Sequence, residues 1–403
     1  MSARRSSAAR STRRFTHVRL QNWRNFSRVD LPLQERNFLV GPNASGKSNF
    51  LDVFRFLGDL VAVSGGLGHA VARRGGVSEI RCLAAKANPN IGIEVEIGGD
   101  AEEPWRYRLV FGQDPVRHLL QVKEEVVHRG GREVLRRPDE QDQGDQERLR
   151  QTHLEQVTAN REFRPIAEFF RSIRYYHIVP QLVRGSERWE SPEVDPYGGD
   201  FIERVLEVPL RTRTARLRRI QKALTGPPRS WLRGAPLTAA VPQLSQLVAE
   251  RDSRGIAHLR GRYQHWRPHG KWQTESQFSD GTLRLLGLLW SLLDDAGPLL
   301  LEEPELSLHP AVVRHIPQLM ARLQETNPRQ LLVSTHSADL LQDEDIAPDE
   351  VLLFIPSDRG TEVQSGASIE RVRQLLEAGV PMPEVVLAET QPENVIQLPS
   401  FAG

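Results

Sequence analysis

Residues 36–49 read RNFLVGPNASGKSN, an apolar run that breaks at Gly41 and resumes after Lys47 as the helical pattern NFLDVFRFLGDL. A short buried strand, a loop of the form G-x-x-x-x-G-K-[ST] and an apolar helix place loop amides and a helix start where phosphate oxygens can meet them. Lys47 then acts as a point charge on the β and γ phosphates of a nucleotide, and Ser48 offers its hydroxyl to Mg²⁺. The four fixed positions arise by chance in about one per cent of chains of this length, so the motif carries weight on its own. A strand of this kind belongs to an α/β sheet whose ligands sit beyond the C-terminal strand ends.

Three later segments extend the pattern. Residues 298–303, PLLLEE, read as a second buried strand that delivers Glu302 and Glu303 at its C-terminal end, followed by Pro304-Glu305-Leu306-Ser307-Leu308-His309-Pro310. Residues 278–282, FSDGT, read as a polar helix start ahead of LRLLGLLWSLL, with a serine hydroxyl and free amides. Residues 334–337, STHS, close the apolar strand LLV with a histidine. Taken singly, these are two acids at a strand end, a helix cap and a structural histidine.

Taken in order, GPNASGKSN, FSDGT, LLLEEPELSLHP and STHS resemble the motif series of ABC-type ATPases. The opening VRLQNWRNFSRVDLPLQERNFLVGPNASGKSNFLDV narrows the resemblance to the RecF, SMC and overcoming-lysogenisation (OLD) nuclease group of ATPase heads, which begin with the same strand, a short Asn-Phe-Arg-like turn and the loop. The likeness covers residues 15–60 and 275–340. It implies a P-loop NTPase of ABC-ATPase type: an α/β fold with a mixed parallel sheet core, an antiparallel β lobe and an inserted helical lobe. It implies ATP and Mg²⁺ as ligands, ATP held by Gly41, Pro42, Asn43, Ala44, Ser45, Gly46, Lys47, Ser48 and Asn49, and metal contacts from Ser48 and Glu302. Glu303 would align the attacking water, with Lys47 and His336 assisting, and Ser279, Asp280 and Gly281 of a second copy would close over the γ-phosphate. Arg24, in the turn Asn22-Trp23-Arg24-Asn25-Phe26, would lie near the nucleotide; the other reading is a surface arginine between two strands. Glu302 stands where the family usually has aspartate, which makes nucleotide binding a firmer expectation than fast turnover. No glutamine between residues 80 and 98 fills the family's Q-loop; Arg73-Arg74-Gly75-Gly76 occupy that neighbourhood.

The rest of the chain bounds the reading. With 403 residues, 53 Lys and Arg against 52 Asp and Glu, and one cysteine, Cys82, it is long enough for a large core, nearly neutral, and without an internal disulfide. That fits a cytoplasmic protein lacking the overall positive field of an obligate DNA binder. The longest apolar run, 285–293, is too short to cross a bilayer. Residues 1–14 form a basic tail, expected to be disordered; 15–137 the first part of the ATPase core with a β lobe; 138–274 an inserted loop and helical lobe; and 275–403 the second part of the core. Within these, residues 138–150 read as a solvated loop, 164–174 and 199–224 as helices, and 240–252 as a further helix. The residues after His336 are too few for the Toprim nuclease domain of OLD enzymes, so any nuclease is expected to be a separate protein.

Arg211, Arg213, Arg216, Arg218, Arg219 and Lys222 crowd one helical stretch, either a DNA-facing helix or a solvated arginine-rich one. Four functions follow: an ATP-driven homodimeric switch on DNA, in double-strand break repair or anti-phage defence; a transporter subunit, disfavoured by the long spacing from Ser48 to Ser279; the ATP-sensing partner of a separately encoded nuclease or effector; and a nucleotide-gated scaffold.

Overall fold

The computed structural model describes residues 13–390 apart from 85–88, 100–101, 115–117, 186–194, 196, 226–239, 242, 265–270 and 295–296. The strands are β1 (Arg14–Trp23), β2 (Phe26–Pro32) and β3 (Arg36–Val40), then β4 (Ile91–Gly99), β5 (Glu102–Gln113), β6 (Leu120–Arg129) and β7 (Arg132–Arg137). Next come β8 (Arg174–Tyr176), β9 (Leu244–Arg251), β10 (Ala257–Tyr263) and β11 (Trp272–Thr274). The last are β12 (Leu299–Glu302), β13 (Leu331–Thr335), β14 (Val351–Ser357) and β15 (Gly360–Ser365). The chain divides into two compact units, the first drawn from Met1–Asn37, Asn43–Ile173 and Phe354–Gln364, the second from Phe38–Pro42, Arg174–Leu353 and Ser365–Gly403.

Unit 1 is built on an antiparallel sheet of order β2-β1-β4-β5-β6-β7. Its strands alternate apolar and polar residues, so one face is buried and the other bears ion pairs such as Arg19 with Glu94 and Arg108 with Glu124. The helix Lys47–Leu60 buries Phe50, Phe54 and Phe56. Phe54 packs on Phe15 with ring centroids 4.8 Å apart, and Phe56 meets Trp23 at 5.2 Å and Phe111 at 5.4 Å. Such ring pairs add about 0.5–1.5 kcal/mol each beyond their buried area, so the helix start is held on a rigid aromatic bed.

Unit 2 contains the run of strands β14-β3-β13-β12-β8. β14 lies parallel to β3 at Phe38–Val40, and β12 lies parallel to both β13 and β8. β13 and the apolar part of β12 are wholly buried, the uninterrupted apolar pattern of strands covered on both faces. A small antiparallel sheet of order β11-β10-β9 completes the inserted region.

Three expectations are corrected. Residues 240–252, expected as a helix, contain strand β9, which pairs with β10 across a turn in which Asp252 accepts hydrogen bonds from the amides of Arg254 and Ile256. The sequence Asp252-Ser253-Arg254-Gly255 was the missed turn signal. The single helix expected over 199–224 is two, Phe201–Glu207 and Leu210–Thr225, interrupted at Pro209, which lacks the amide to continue the first. The Gly226-Pro227-Pro228 sequence that follows lies outside the described residues, as do residues 1–12 of the basic tail. Finally, residues 138–150 do not form a solvated loop. They hold a helix, Glu140–Gly144, and a 3₁₀ turn, Gln146–Arg150, around the buried Asp142, because the guanidinium of Arg137 gives that polar run something to enclose.

Candidate functional site

The strand order of unit 2 sets the site. β3 carries the chain to Gly41 and Pro42; its neighbour β13 ends at Thr335, just before His336; and the next strand, β12, ends at Glu302, just before Glu303. The three motif segments separated in sequence thus issue from three adjacent strands.

At the end of β12, Glu303 takes a left-handed backbone (φ 43°), its amide donates to the Ser334 carbonyl at 3.0 Å, and its carboxylate lies 3.1 Å from His336 Nδ1. Both side chains stay accessible, 23% and 42% exposed. Glu302 accepts a hydrogen bond from the Tyr175 hydroxyl on β8. Behind them, the buried Glu305 accepts from Thr335 Oγ1, and burial pushes its carboxyl up against that hydrogen bond.

Ser279 is exposed and caps the helix Asp280–Leu292, its Oγ accepting from the Thr282 amide at 3.2 Å. Gly281 is required by close packing: a Cβ there would stand 2.6 Å from the Ser307 carbonyl oxygen. The short polar segment FSDGT is therefore locked against the ELSLHP segment within the same unit.

In unit 1, the loop enters the helix Lys47–Leu60 through Gly46, whose φ of 97° is left-handed, with no side chain capping the helix amides and no acid in the first turn. A Cβ at Gly46 would lie 2.1 Å from Asn25 Nδ2. Asn25 is a brace the sequence reading missed: its Nδ2 donates to the Ser45 carbonyl at 2.9 Å and Thr361 Oγ1 at 2.7 Å, while its Oδ1 accepts from Asn49 Nδ2 at 2.8 Å. Trp23 adds an indole hydrogen bond to the Asn49 carbonyl at 2.9 Å. Asn43, Ala44 and Ser48 are exposed, while Ser45, Gly46 and Lys47 are buried.

Arg24, expected near a nucleotide, donates to Asp52 on the helix at 3.1 Å. Arg74 grips the same carboxylate with two nitrogens, at 2.9 and 2.8 Å, and reaches Asp59 at 2.8 Å. Burial alone would raise the Asp52 carboxyl, but the charges of Arg74, Arg55 and Arg24 outweigh it and hold it below its ordinary value. The stretch 73–76, expected near a switch, thus fastens the helix through Arg74. Among described non-glycine residues, left-handed backbones occur at Asn22, Arg24, Ala44, Glu303 and Ser307, all within the motif segments, and at His118 outside them. Strain held in place by surrounding structure is a mark of functional segments.

The family described as "AAA domain, putative AbiEii toxin, Type IV TA system" matches residues 36–342. The chain belongs to this AAA family. Among solved structures, it is similar to an "SmcHead bound to the C-winged helix domain of ScpA" at 14% identity and TM-score 0.53, covering 89% of this chain and 99% of that one. It also matches the SMC head domain from Thermotoga maritima (13% identity, 87% and 98% covered, TM-score 0.43). A third match is the Smc head domain with an extended coiled coil bound to the C-terminal domain of ScpA, from Pyrococcus furiosus (14%, 91% and 99%, 0.49). No curated protein matches the sequence. The likeness to ABC-type heads of the RecF and SMC kind is borne out: the chain is a member of the AAA family with the fold of an SMC head. Among the described residues no helix is long and apolar enough to cross a membrane.

Proposed function

We propose that this chain binds ATP with Mg²⁺ on the loop 41–48 and hydrolyses it in an ATP-dependent homodimer, working as a switch in the cytoplasm. The observation that supports the reading is the strand order β3-β13-β12, in which the strand leading to Gly41 and Pro42, the strand ending at Thr335 and the strand ending at Glu302 are neighbours in one sheet.

Glu303 aligns and polarises the attacking water, His336 orients the Glu303 carboxylate and donates to the γ-phosphate, and Lys47 balances charge on the transferring group. Ser48, an exposed hydroxyl at a helix start, and Glu302, a carboxylate at a strand end, are the oxygen donors a hard cation takes. Mg²⁺ held there supplies neutralisation of phosphate charge. Ser279 and Gly281 of a second copy close the site, and hydrolysis parts the copies.

The process served is DNA repair or defence against foreign DNA. Support for a DNA contact is local: Arg211, Arg218, Arg219 and Lys222 are exposed on the helix Leu210–Thr225, whereas Arg216 turns inward over Trp290 and toward Asp294. The second reading, an ATP-sensing partner or scaffold for a separately encoded effector, is favoured by the family's description as a putative toxin of a toxin–antitoxin system.

Steady-state hydrolysis by the full chain, with and without single- and double-stranded DNA at two salt concentrations, tests the reading. Glu303→Gln is expected to lower turnover by about a hundredfold or more while ATP still binds, and Lys47→Ala to abolish binding. Turnover unchanged by Glu303→Gln would remove the assignment. Salt-sensitive stimulation by DNA supports the first reading, and hydrolysis indifferent to DNA the second.

A further inference from the structure

The serine of FSDGT has an acid for its neighbour, and that acid does not stand alone. Asp280 lies in the first turn of the helix Asp280–Leu292, where its charge suits the helix dipole but competes with any incoming anion for the same end. From the separate helix Pro180–Arg184, one nitrogen of Arg184, Nη2, donates both to the Phe278 carbonyl at 2.7 Å and to Asp280 Oδ1 at 2.5 Å. Gln181 from the same helix reaches Asp280 Oδ2 at 3.4 Å. Arg184 therefore binds the residues on both sides of Ser279, leaving that serine exposed between them.

We infer that Arg184 is a positioning residue for this signature: it offsets the charge of Asp280 and fixes the backbone around Ser279, so that the helix end can receive a polyphosphate presented by a second copy of this chain. The inference rests on the proposed ATP-dependent dimer and deepens it. Two facts of the structure give it content. Gly281 packs against the Ser307 carbonyl and Phe278 is buried, so the segment is held on both sides of Ser279, and Arg184 adds a bond to each flank, the Phe278 carbonyl and the Asp280 carboxylate. Asp280 is also 41% exposed, so without Arg184 its negative charge faces the approach path of the phosphate. Like charges brought together at an interface are strongly disfavoured.

The ion pair and the phosphate contact make different predictions for a double substitution. If Arg184 works through Asp280, removing the acid restores part of what removing the arginine loses. If Arg184 only braces the fold, it does not.

The test uses the full chain in a Glu303→Gln background with ATP and Mg²⁺, measuring the dimerisation constant by analytical ultracentrifugation and ATP affinity of the monomer by equilibrium binding. Arg184→Ala is expected to weaken ATP-dependent dimerisation by about tenfold or more, with monomer ATP affinity changed by less than about twofold. Arg184→Ala with Asp280→Asn is expected to dimerise about threefold or more better than Arg184→Ala alone, and Arg184→Gln to fall between Arg184→Ala and the parent. Dimerisation by Arg184→Ala equal to the parent, or a double variant no better than the single one with both folded by circular dichroism, would overturn the inference. Ser279→Arg separates the two layers. If it fails to dimerise while Arg184→Ala succeeds, only the role of Arg184 falls; if it still forms ATP-dependent dimers, the dimer reading falls and takes this inference with it.

Discussion

Around Arg137 in unit 1, the side chains of Glu125 and Asp142 are wholly enclosed, whereas at the end of β12 in unit 2 the side chains of Glu303 and its partner His336 are 23% and 42% exposed. The groups are alike, carboxylates beside a nitrogen-bearing side chain, and the surroundings are opposite. Arg137 donates to Asp142 through Nε and Nη2, to Glu125 through Nη1, and to the carbonyls of Gln151 and Arg148. Those contacts occupy every donor a guanidinium has. Glu125 in turn accepts from the amides of His153 and Leu154 and from the Tyr107 hydroxyl. Nothing is left over to bind a ligand. Glu303 makes one side-chain contact of this kind among the described hydrogen bonds and ion pairs, with a histidine that is itself accessible. Saturation and enclosure mark the first cluster as structure; accessibility of both partners is what the role proposed for Glu303 and His336 requires of the second.

The largest expected effect breaks the enclosed side. Arg137→Ala strands two buried carboxylates and is expected to cost about 3–5 kcal/mol, read by urea denaturation. Glu303→Gln, on the accessible side, is expected to change stability by less than about 0.5 kcal/mol. If Arg137→Ala proves equally mild, the cluster is not what organises residues 138–155. Converting Arg137, Glu125 and Asp142 together to apolar residues of similar volume sharpens the point, because a buried ion network replaced whole is often tolerated where a broken one is not.

A smaller effect follows from pH. Burial by itself would raise the Asp142 carboxyl, but hydrogen bonds from Arg137, the Asp139 amide and Arg148 carry it well below the usual carboxylate range. A depressed folded value means that its stabilisation is present above the unfolded value of about 3.9 and is lost as pH falls through the folded one. Asp142→Asn removes that contribution, so the gap in melting temperature between parent and variant is expected to be widest near neutrality and to close below about pH 4. Glu125, raised by burial, acts in the opposite sense but is present in both proteins. A gap that widens on acidification would reverse the assignment.

The same contrast explains what the sequence disclosed. Strands β3, β12 and β13 were legible because apolar runs and the order of GPNASGKSN, FSDGT, LLLEEP and STHS are properties of single stretches of chain. The brace Asn25 was not, since its partners Ser45, Asn49 and Thr361 arrive from other segments. Nor were Tyr175, on a three-residue strand, Arg184, on a five-residue helix, or the burial of Asp142 within a run of acids and glutamines. Periodicity reports which face of an element meets the core. It is silent on which polar group from elsewhere will meet an exposed or charged residue, and the missed residues are all of that kind.

The smallest expected effect concerns the accessible side and the extra methylene of Glu302. In the parallel pair β8–β12, Tyr175 stands opposite Leu300, and side chains two residues apart on a strand share a face, so Glu302 lies on the face Tyr175 occupies, one step further on. The phenol is long enough to cover that step, and its hydroxyl donates to the Glu302 carboxylate. A longer acid has one more torsion to fix than aspartate, and the tyrosine fixes it. On the proposed role of Glu302, Tyr175→Phe is expected to raise the Mg²⁺ concentration needed for half-maximal ATP binding by about fivefold, with stability little changed. In a Glu302→Asp background the shorter carboxylate no longer reaches the phenol, so Tyr175→Phe should then change the Mg²⁺ requirement by less than about twofold. Equal effects in the two backgrounds would show that Tyr175 acts on something other than Glu302, and the end of β12 would then need only its own acids to meet the cation.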